Sequence, residues 1–192
     1  MVSHKIFILL GHPDDDSLNA TLAMEYERGA LEAGHEVRRM NLGDMKFDPI
    51  LRQGYRTIQG LEPDLKMFQE NVNWCDHFVI FYPTWWSSMP ALLKGVFDRS
   101  WLPGFAYKFT GEFSWKKLMK GKTARVVVTS DNIPFAEWFL FGDTTNEIAR
   151  GILGFAGFKV KVKKFGYLKH FGSMGRRERI KRKVYNLGIK AK

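Results

Sequence analysis

The sequence predicts an α/β protein: a parallel sheet of five strands with helices packed on both faces. Three observations carry that expectation. Short apolar runs alternate with helix-length stretches along the whole chain, the pattern of strand–helix–strand crossovers that build parallel sheets. The run FVIFY at 78–82 is apolar on both of its alternating faces, as a central strand covered on each side requires. The 192 residues contain no internal repeat, low-complexity tract or linker, so 1–192 reads as one domain long enough to bury a core.

Taken in order, Lys5–Leu10 is the first strand, and a helix follows over 17–33 with Gly34 placed as its C-terminal cap. Residues 35–41 form the second strand, 45–61 a longer connection and 64–74 a helix. The third strand, 77–82, ends before Pro83, which lacks the N–H that a central strand donates. A helix over 90–100, a fourth strand over 122–129, a helix over 143–156 and a last strand, Lys159–Phe165, complete the alternation. A basic helix over 173–188 closes the chain.

Composition removes several function classes. No apolar run approaches the roughly 18 residues of a membrane span. The apolar N-terminus runs into Pro13 and three aspartates without a small-residue cleavage site, so it reads as a strand and not a signal peptide. The single Cys75 excludes an intrachain disulfide and a Cys/His zinc finger, and a cytoplasmic setting is expected. The net charge is +10, concentrated after residue 173, where Arg176, Arg177, Arg179, Lys181, Arg182, Lys183, Lys190 and Lys192 face only Glu178. Ile180, Val184 and Leu187 fall at helical spacing within that run, so it reads as a surface helix with one buried stripe. Its cations form either a solvated face or an attraction for anionic ligands or a membrane surface. No recognition-helix or RNA-module pattern accompanies them, and no nucleic-acid partner is expected.

Two loops carry the chemistry. The first, GHPDDDSLN at 11–19, leaves strand one and enters helix one, where free N–H groups and the positive end of the helix dipole favour an anion. Ser17 and Asn19 read equally as caps or as phosphate donors. There is no G-x-G-x-x-G and no P-loop lysine, and Asp14, Asp15 and Asp16 must point away from any bound anion. The second loop follows strand three, where PTWWSS begins the segment PTWWSSMPALLKGVFDR at 83–99. Two tryptophans among three hydroxyls, beyond the carboxyl end of a strand, suit a flat ring, although Trp85 and Trp86 serve equally as packing aromatics.

The HPDD of the first loop resembles zinc-dependent deacetylases of the N-acetylglucosaminyl type. That resemblance would make His12 and Asp15 ligands and Asp14 the base. A catalytic zinc needs a third protein ligand. His4, His35 and His77 lie at strand starts, His170 has no histidine near it in sequence, and PTWW would have no role. No metal site is expected.

The combination HP-x3-SLN after strand one, YPTWW-x2-MPALLKG-x2-DR after strand three and GFAY at 104–107 resembles the flavodoxin-like NAD(P)H:quinone oxidoreductases, over about residues 5–165. The resemblance implies a flavodoxin-like three-layer α/β sandwich with strand order 2-1-3-4-5. It implies a flavin (FMN, with FAD open) at the point where the strand order reverses, NADPH or NADH as co-substrate, and a homodimer with active sites at its interface. It places His12, Ser17, Leu18 and Asn19 on the flavin phosphate and ribityl chain, and Pro83, Thr84, Trp85, Trp86 and Ser87 along the ring. Thr129, Ser130, Asp131 and Asn132 match the loop at the flavin's polar edge, here without the family's usual glycines. Tyr107 and Phe109 match aromatic residues lining the substrate pocket from the partner subunit.

The implied activity is two-electron, ping-pong hydride transfer from NAD(P)H through flavin N5 to a quinone or similar flat acceptor. It asks for no protein nucleophile. Animal members carry a Tyr and a His in the segment matching 134–142, and Phe135 and Phe141 stand there instead, so the route of the quinone's proton differs. Phe135 and Trp138 are expected at the pocket, with Trp138 and Phe139 equally suited to dimer packing. Two other roles remain open. One is a one-electron carrier, which the charge of +10 and GFAY argue against. The other is an ancillary flavoprotein on a membrane transporter, associated peripherally through the basic C-terminal helix.

Overall fold

A computed structural model describes residues 2–166, 168 and 174–191. The five parallel strands are β1 (Lys5–Leu10), β2 (Glu36–Asn41), β3 (His77–Pro83), β6 (Thr123–Thr129) and β7 (Lys159–Phe165), in the order β2-β1-β3-β6-β7. The sheet thus has the flavodoxin-like order of the expectation, with β6 and β7 as its fourth and fifth strands. The numbering differs because an antiparallel hairpin, β4 (Tyr107–Gly111) with β5 (Ser114–Lys117), lies outside the sheet. Tyr107 and Phe109 alternating with Lys108 and Thr110 form a strand pattern outside the five strands expected.

β3 is buried at all seven positions, as FVIFY predicts. Pro83 is its last residue, paired in register with Thr129, and not the first residue beyond it. The missing donor is tolerated there because the next N–H, that of Thr84, reaches the Thr129 carbonyl at 2.8 Å.

Each sheet face carries its own core. Helices α2 (Pro63–Trp74) and α3 (Ala91–Ser100) cover one face with Leu65, Phe68, Leu93, Val96 and Phe97. Helices α1 (Leu18–Glu32) and α5 (Met174–Lys190) cover the other, where Ala23, Tyr26, Ile180 and Val184 meet Ile8 and Val79. The predicted apolar stripe of the basic helix is therefore spent on the core; residue 173, where that helix was expected to begin, and Lys192 lie outside the described residues. α1 and α5 touch backbone to backbone. A Cβ on Gly29 would collide with the Tyr185 carbonyl, and one on Gly188 with that of Tyr26.

Two further elements depart from expectation. α4 (Pro134–Phe141) is a short helix in a stretch to which no element is assigned from sequence. The helix expected over 143–156 is a π-helix over Glu147–Gly154. A Cβ on Gly154 would stand 2.9 Å from the Ala149 oxygen, the carbonyl five residues back that the wide turn brings alongside. The arginine of the DR pair also has a structural task. Arg99 is buried and donates to the Asp48 and Gly60 carbonyls and to Glu62 Oε2 at 2.9 Å, clamping the long 45–61 connection. Among the described residues no helix is long and apolar enough to cross a membrane.

Candidate functional site

Strand order reverses between β1 and β3, and the loops leaving these strands meet at that point, the edge where open α/β sheets present their ligand loops. They are joined directly: Gly11 N–H donates to the Phe81 carbonyl at 2.7 Å. A Cβ on Gly11 would come 2.8 Å from Leu93 Cδ2, so only glycine lets the first loop start this close to β3.

The first loop then turns outward. Asp14, Asp15 and Asp16 are exposed, and Asp14 N–H donates to His12 Nδ1 at 2.9 Å. Ser17 is the N-cap of α1, its Oγ accepting from Ala20 N–H at 3.2 Å. α1 therefore presents its amino end, with donors left free there, at this sheet edge. Leu18 packs its side chain against the α1 core, leaving only backbone to a ligand. Asn19 is buried and donates from Nδ2 to Thr129 Oγ1 at 2.8 Å, which ties the helix to the end of β6.

The tryptophans sit on a tight turn. Trp85 and Ser88 exchange both backbone hydrogen bonds, at 2.9 and 3.1 Å. The two residues between them, Trp86 and Ser87, have φ of +50° and +62°. Non-glycine residues in that region cost about 1–2 kcal/mol each, the kind of strain found at ligand clamps. Trp86 is 100% exposed and Trp85 45%, so neither is the packing aromatic that composition allowed. His12 meets Trp85 edge to face at 5.5 Å, and Ser88 Oγ donates to Glu147 Oε2 at 2.7 Å.

Three buried polar atoms near this edge have no partner within the protein: Asn19 Oδ1, Thr84 Oγ1 and Tyr82 Oη. Such atoms are costly unless something pairs with them. The β6 loop closes the far side. Ser130 N–H donates to the Phe165 carbonyl at 2.9 Å and its Oγ to the Asn132 carbonyl at 3.2 Å, while Asp131 and Asn132 are exposed.

An aromatic groove of about 370 Å³ lies on the same subunit, lined by Tyr55, Trp101, Tyr107, Glu147 and Phe155. Tyr107 packs edge-on against Phe155 at 5.0 Å and Phe109 at 5.2 Å. Burial and Tyr55 raise the Tyr107 phenol above its usual value, so it stays protonated. Glu147 belongs to both this groove and the tryptophan turn. Phe135 and Trp138 stand exposed on α4, at 74% and 58%. Glu147 and the groove were missed by sequence reading, because a surface glutamate in a helical stretch carries no signal of its own.

The zinc alternative gains nothing from this geometry. Among the described residues no three His, Cys, Asp or Glu side chains stand close enough to share a metal ion. His4 and His35 pair with each other, and His77 binds Thr123 and Tyr26 at the amino end of the sheet. His170 lies outside the described residues.

A family model described as a flavodoxin-like fold matches residues 4–171. The chain belongs to the flavodoxin-like NAD(P)H:quinone oxidoreductase family. Over 112 residues it is 30% identical to the uncharacterized NAD(P)H oxidoreductase YcaK of Escherichia coli, a match covering 56% of this chain and 57% of that one. It is 26% identical to the human ribosyldihydronicotinamide dehydrogenase [quinone] over 198 residues, 90% of this chain and 85% of the relative. Among solved structures it resembles Smu.1420 from Streptococcus mutans, with a TM-score of 0.85 at 27% identity over 97% of this chain and 99% of that one. It also shares the fold of an NAD(P)H:quinone oxidoreductase from Methanothermobacter marburgensis, with a TM-score of 0.82 at 23% identity over the whole of both chains.

Proposed function

We propose that this chain is a flavin-dependent NAD(P)H:quinone oxidoreductase. One observation carries the reading: a helix amino end, an exposed tryptophan turn and two buried, unpaired oxygens, Asn19 Oδ1 and Thr84 Oγ1, converge where the strand order reverses. A ligand with an anionic tail, a polar edge and a flat ring fits that set, and the relatives' names support the same choice. Bound there, FMN (or FAD) would supply the two-electron chemistry linking NADPH or NADH to a quinone or other flat acceptor.

The protein's own part is orientation. His12, Ser17 and the backbone of Leu18 and Asn19 would hold the anionic tail at the α1 amino end. Pro83, Thr84, Trp85, Trp86 and Ser87 would line the ring. Thr129 and the loop of Ser130, Asp131 and Asn132 would meet its polar edge with hydroxyls and backbone donors. Tyr107 and Phe109 are assigned to the acceptor pocket of the partner subunit, with Phe135 and Trp138, exposed on a single chain, as further walls of the pocket at the subunit contact. Tyr107, held protonated, is the hydroxyl placed to donate a hydrogen bond to an acceptor's oxygen. A cytoplasmic homodimer is proposed, with Phe109, Phe113 and Trp115 of the hairpin, all exposed, as its contact.

The deciding experiment is the absorbance spectrum of freshly purified protein, followed by acid release and chromatography of any chromophore. Near-ultraviolet and blue bands bleached by NADPH and restored by a quinone support the reductase and name the flavin. A colourless protein that neither FMN nor FAD reconstitutes would falsify it.

A further inference from the structure

The aromatic groove beside the tryptophan turn carries three charged side chains. Lys94 and Asp98, one turn apart on α3, pair at 2.6 Å, so their charges offset. Glu147 is the third, and among the described residues it joins no ion pair. It stands at the start of the π-helix and accepts from Ser88 Oγ at 2.7 Å, the last residue of the turn over 85–88. A hydroxyl donor orients the carboxylate and leaves its charge in place.

That charge is felt on both sides of the groove. Burial first, and Glu147 next, raise the Tyr82 phenol at the end of β3. Lys94 is opposed by burial yet raised, by Asp98 and then by Glu147. Through Ser88, Glu147 adjoins the turn that would line the ring of its own subunit. Through the groove it adjoins Tyr107, assigned to the acceptor pocket of the partner subunit. The remaining walls of the groove are uncharged.

We infer that Glu147 determines the class of acceptor this site takes: neutral or cationic flat rings are admitted and anionic ones are repelled. Shape discriminates weakly between flat rings that differ by one substituent. A fixed charge beside the pocket discriminates by sign, because it builds in a repulsion against one class. The chain as a whole, at +10, draws anions towards it, so a local carboxylate is the feature that reverses the preference at the site. The inference rests on the reductase reading and names the acceptor class for its pocket.

The test uses the full chain loaded with FMN and two acceptors of one shape, a plain naphthoquinone and its sulfonate, reduced with NADPH. The readout is the ratio of kcat/KM for the sulfonate to that for the neutral quinone, compared between variants so that the acceptors' own potentials cancel. Glu147→Gln keeps an acceptor for Ser88 and removes the charge, and should raise the ratio by about threefold to tenfold. Ser88→Ala keeps the charge and removes the hydrogen bond, and should leave the ratio near the wild-type value. Raising the salt from about 50 mM to about 500 mM should shrink the difference between wild type and Glu147→Gln. Equilibrium dialysis of naphthalenesulfonate gives a readout without turnover, and its Kd should fall by the same factor in Glu147→Gln. An unchanged ratio and Kd overturn the inference. So does a shift in Ser88→Ala as large as that in Glu147→Gln, which assigns the effect to the shape of the turn. Failure of the wild type to reduce the neutral quinone counts against the reductase reading, and the dialysis then decides the inference by itself.

Discussion

Asn19 and Thr129 lie 110 residues apart in the chain, yet Asn19 Nδ2 donates to Thr129 Oγ1 at 2.8 Å. This one bond joins the amino end of α1 to the carboxyl end of β6. Asn19 Oδ1 itself is buried and without a partner among the described residues. Asn19→Ala should cost about 1–3 kcal/mol of stability, for a buried bond lost with Thr129 left unpaired. It should also weaken FMN binding by tenfold or more, measured by fluorescence titration of the apoprotein. A Thr129→Val variant should share the stability loss, and a double-mutant cycle should show the two effects as non-additive.

The tryptophan turn stores strain that glycine would release. Ser87 has φ +62°, so Ser87→Gly is expected to stabilise the protein by about 0.5–1 kcal/mol in urea unfolding. Trp86→Gly should act in the same direction, because a fully exposed ring loses no packing. The ligand-facing cost should separate them. Trp86→Gly weakens flavin binding and Ser87→Gly barely changes it.

His77 links stability to acid. Burial first, and Arg125 next, push its imidazole down to about 3, and its ring nitrogens are held by Thr123 Oγ1 at 2.7 Å and Tyr26 Oη at 3.1 Å. Above the ordinary histidine value of 6.5 neither the folded nor the unfolded chain protonates it, so it contributes no pH dependence. As pH falls below 6.5 the unfolded chain takes a proton that the fold refuses, and stability drops by about 1.4 kcal/mol per unit towards pH 3. Urea midpoints taken across that range should show the slope, and a His77→Gln variant should flatten it.

Arg99 clamps the 45–61 connection from inside α3. Arg99→Met should destabilise by about 3–5 kcal/mol, since Glu62 and two backbone carbonyls lose a buried donor. The Glu62 carboxyl is opposed by burial, yet the Arg99 hydrogen bond holds it below its usual 4.5. Its stabilising share is thus present above pH 4.5 and fades as pH falls through the lowered value. Calorimetry of wild type and Arg99→Met should converge in the acid limb. Parallel transitions at every pH would refute the pairing.

Periodicity in the sequence was enough to predict five strands in a parallel sheet, while their order came only with the family resemblance. FVIFY can only be a doubly covered strand, and alternating helices force the parallel arrangement, because a buried apolar run admits few alternatives. The two ligand loops were legible for the same reason, since they follow the carboxyl ends of strands one and three. Tertiary structure alone decided which of their atoms matter. Asn19 finds Thr129 across 110 residues, Ser88 finds Glu147 across 59, and Arg99 turns from a motif residue into a clamp on Glu62. No local pattern encodes such pairs, because each depends on where the packed core leaves a polar atom without water. The hairpin, the π-helix and the outward face of α4 belong to the same class. Each of these stretches admits more than one placement, and only the completed packing shows which of their side chains the core did not use.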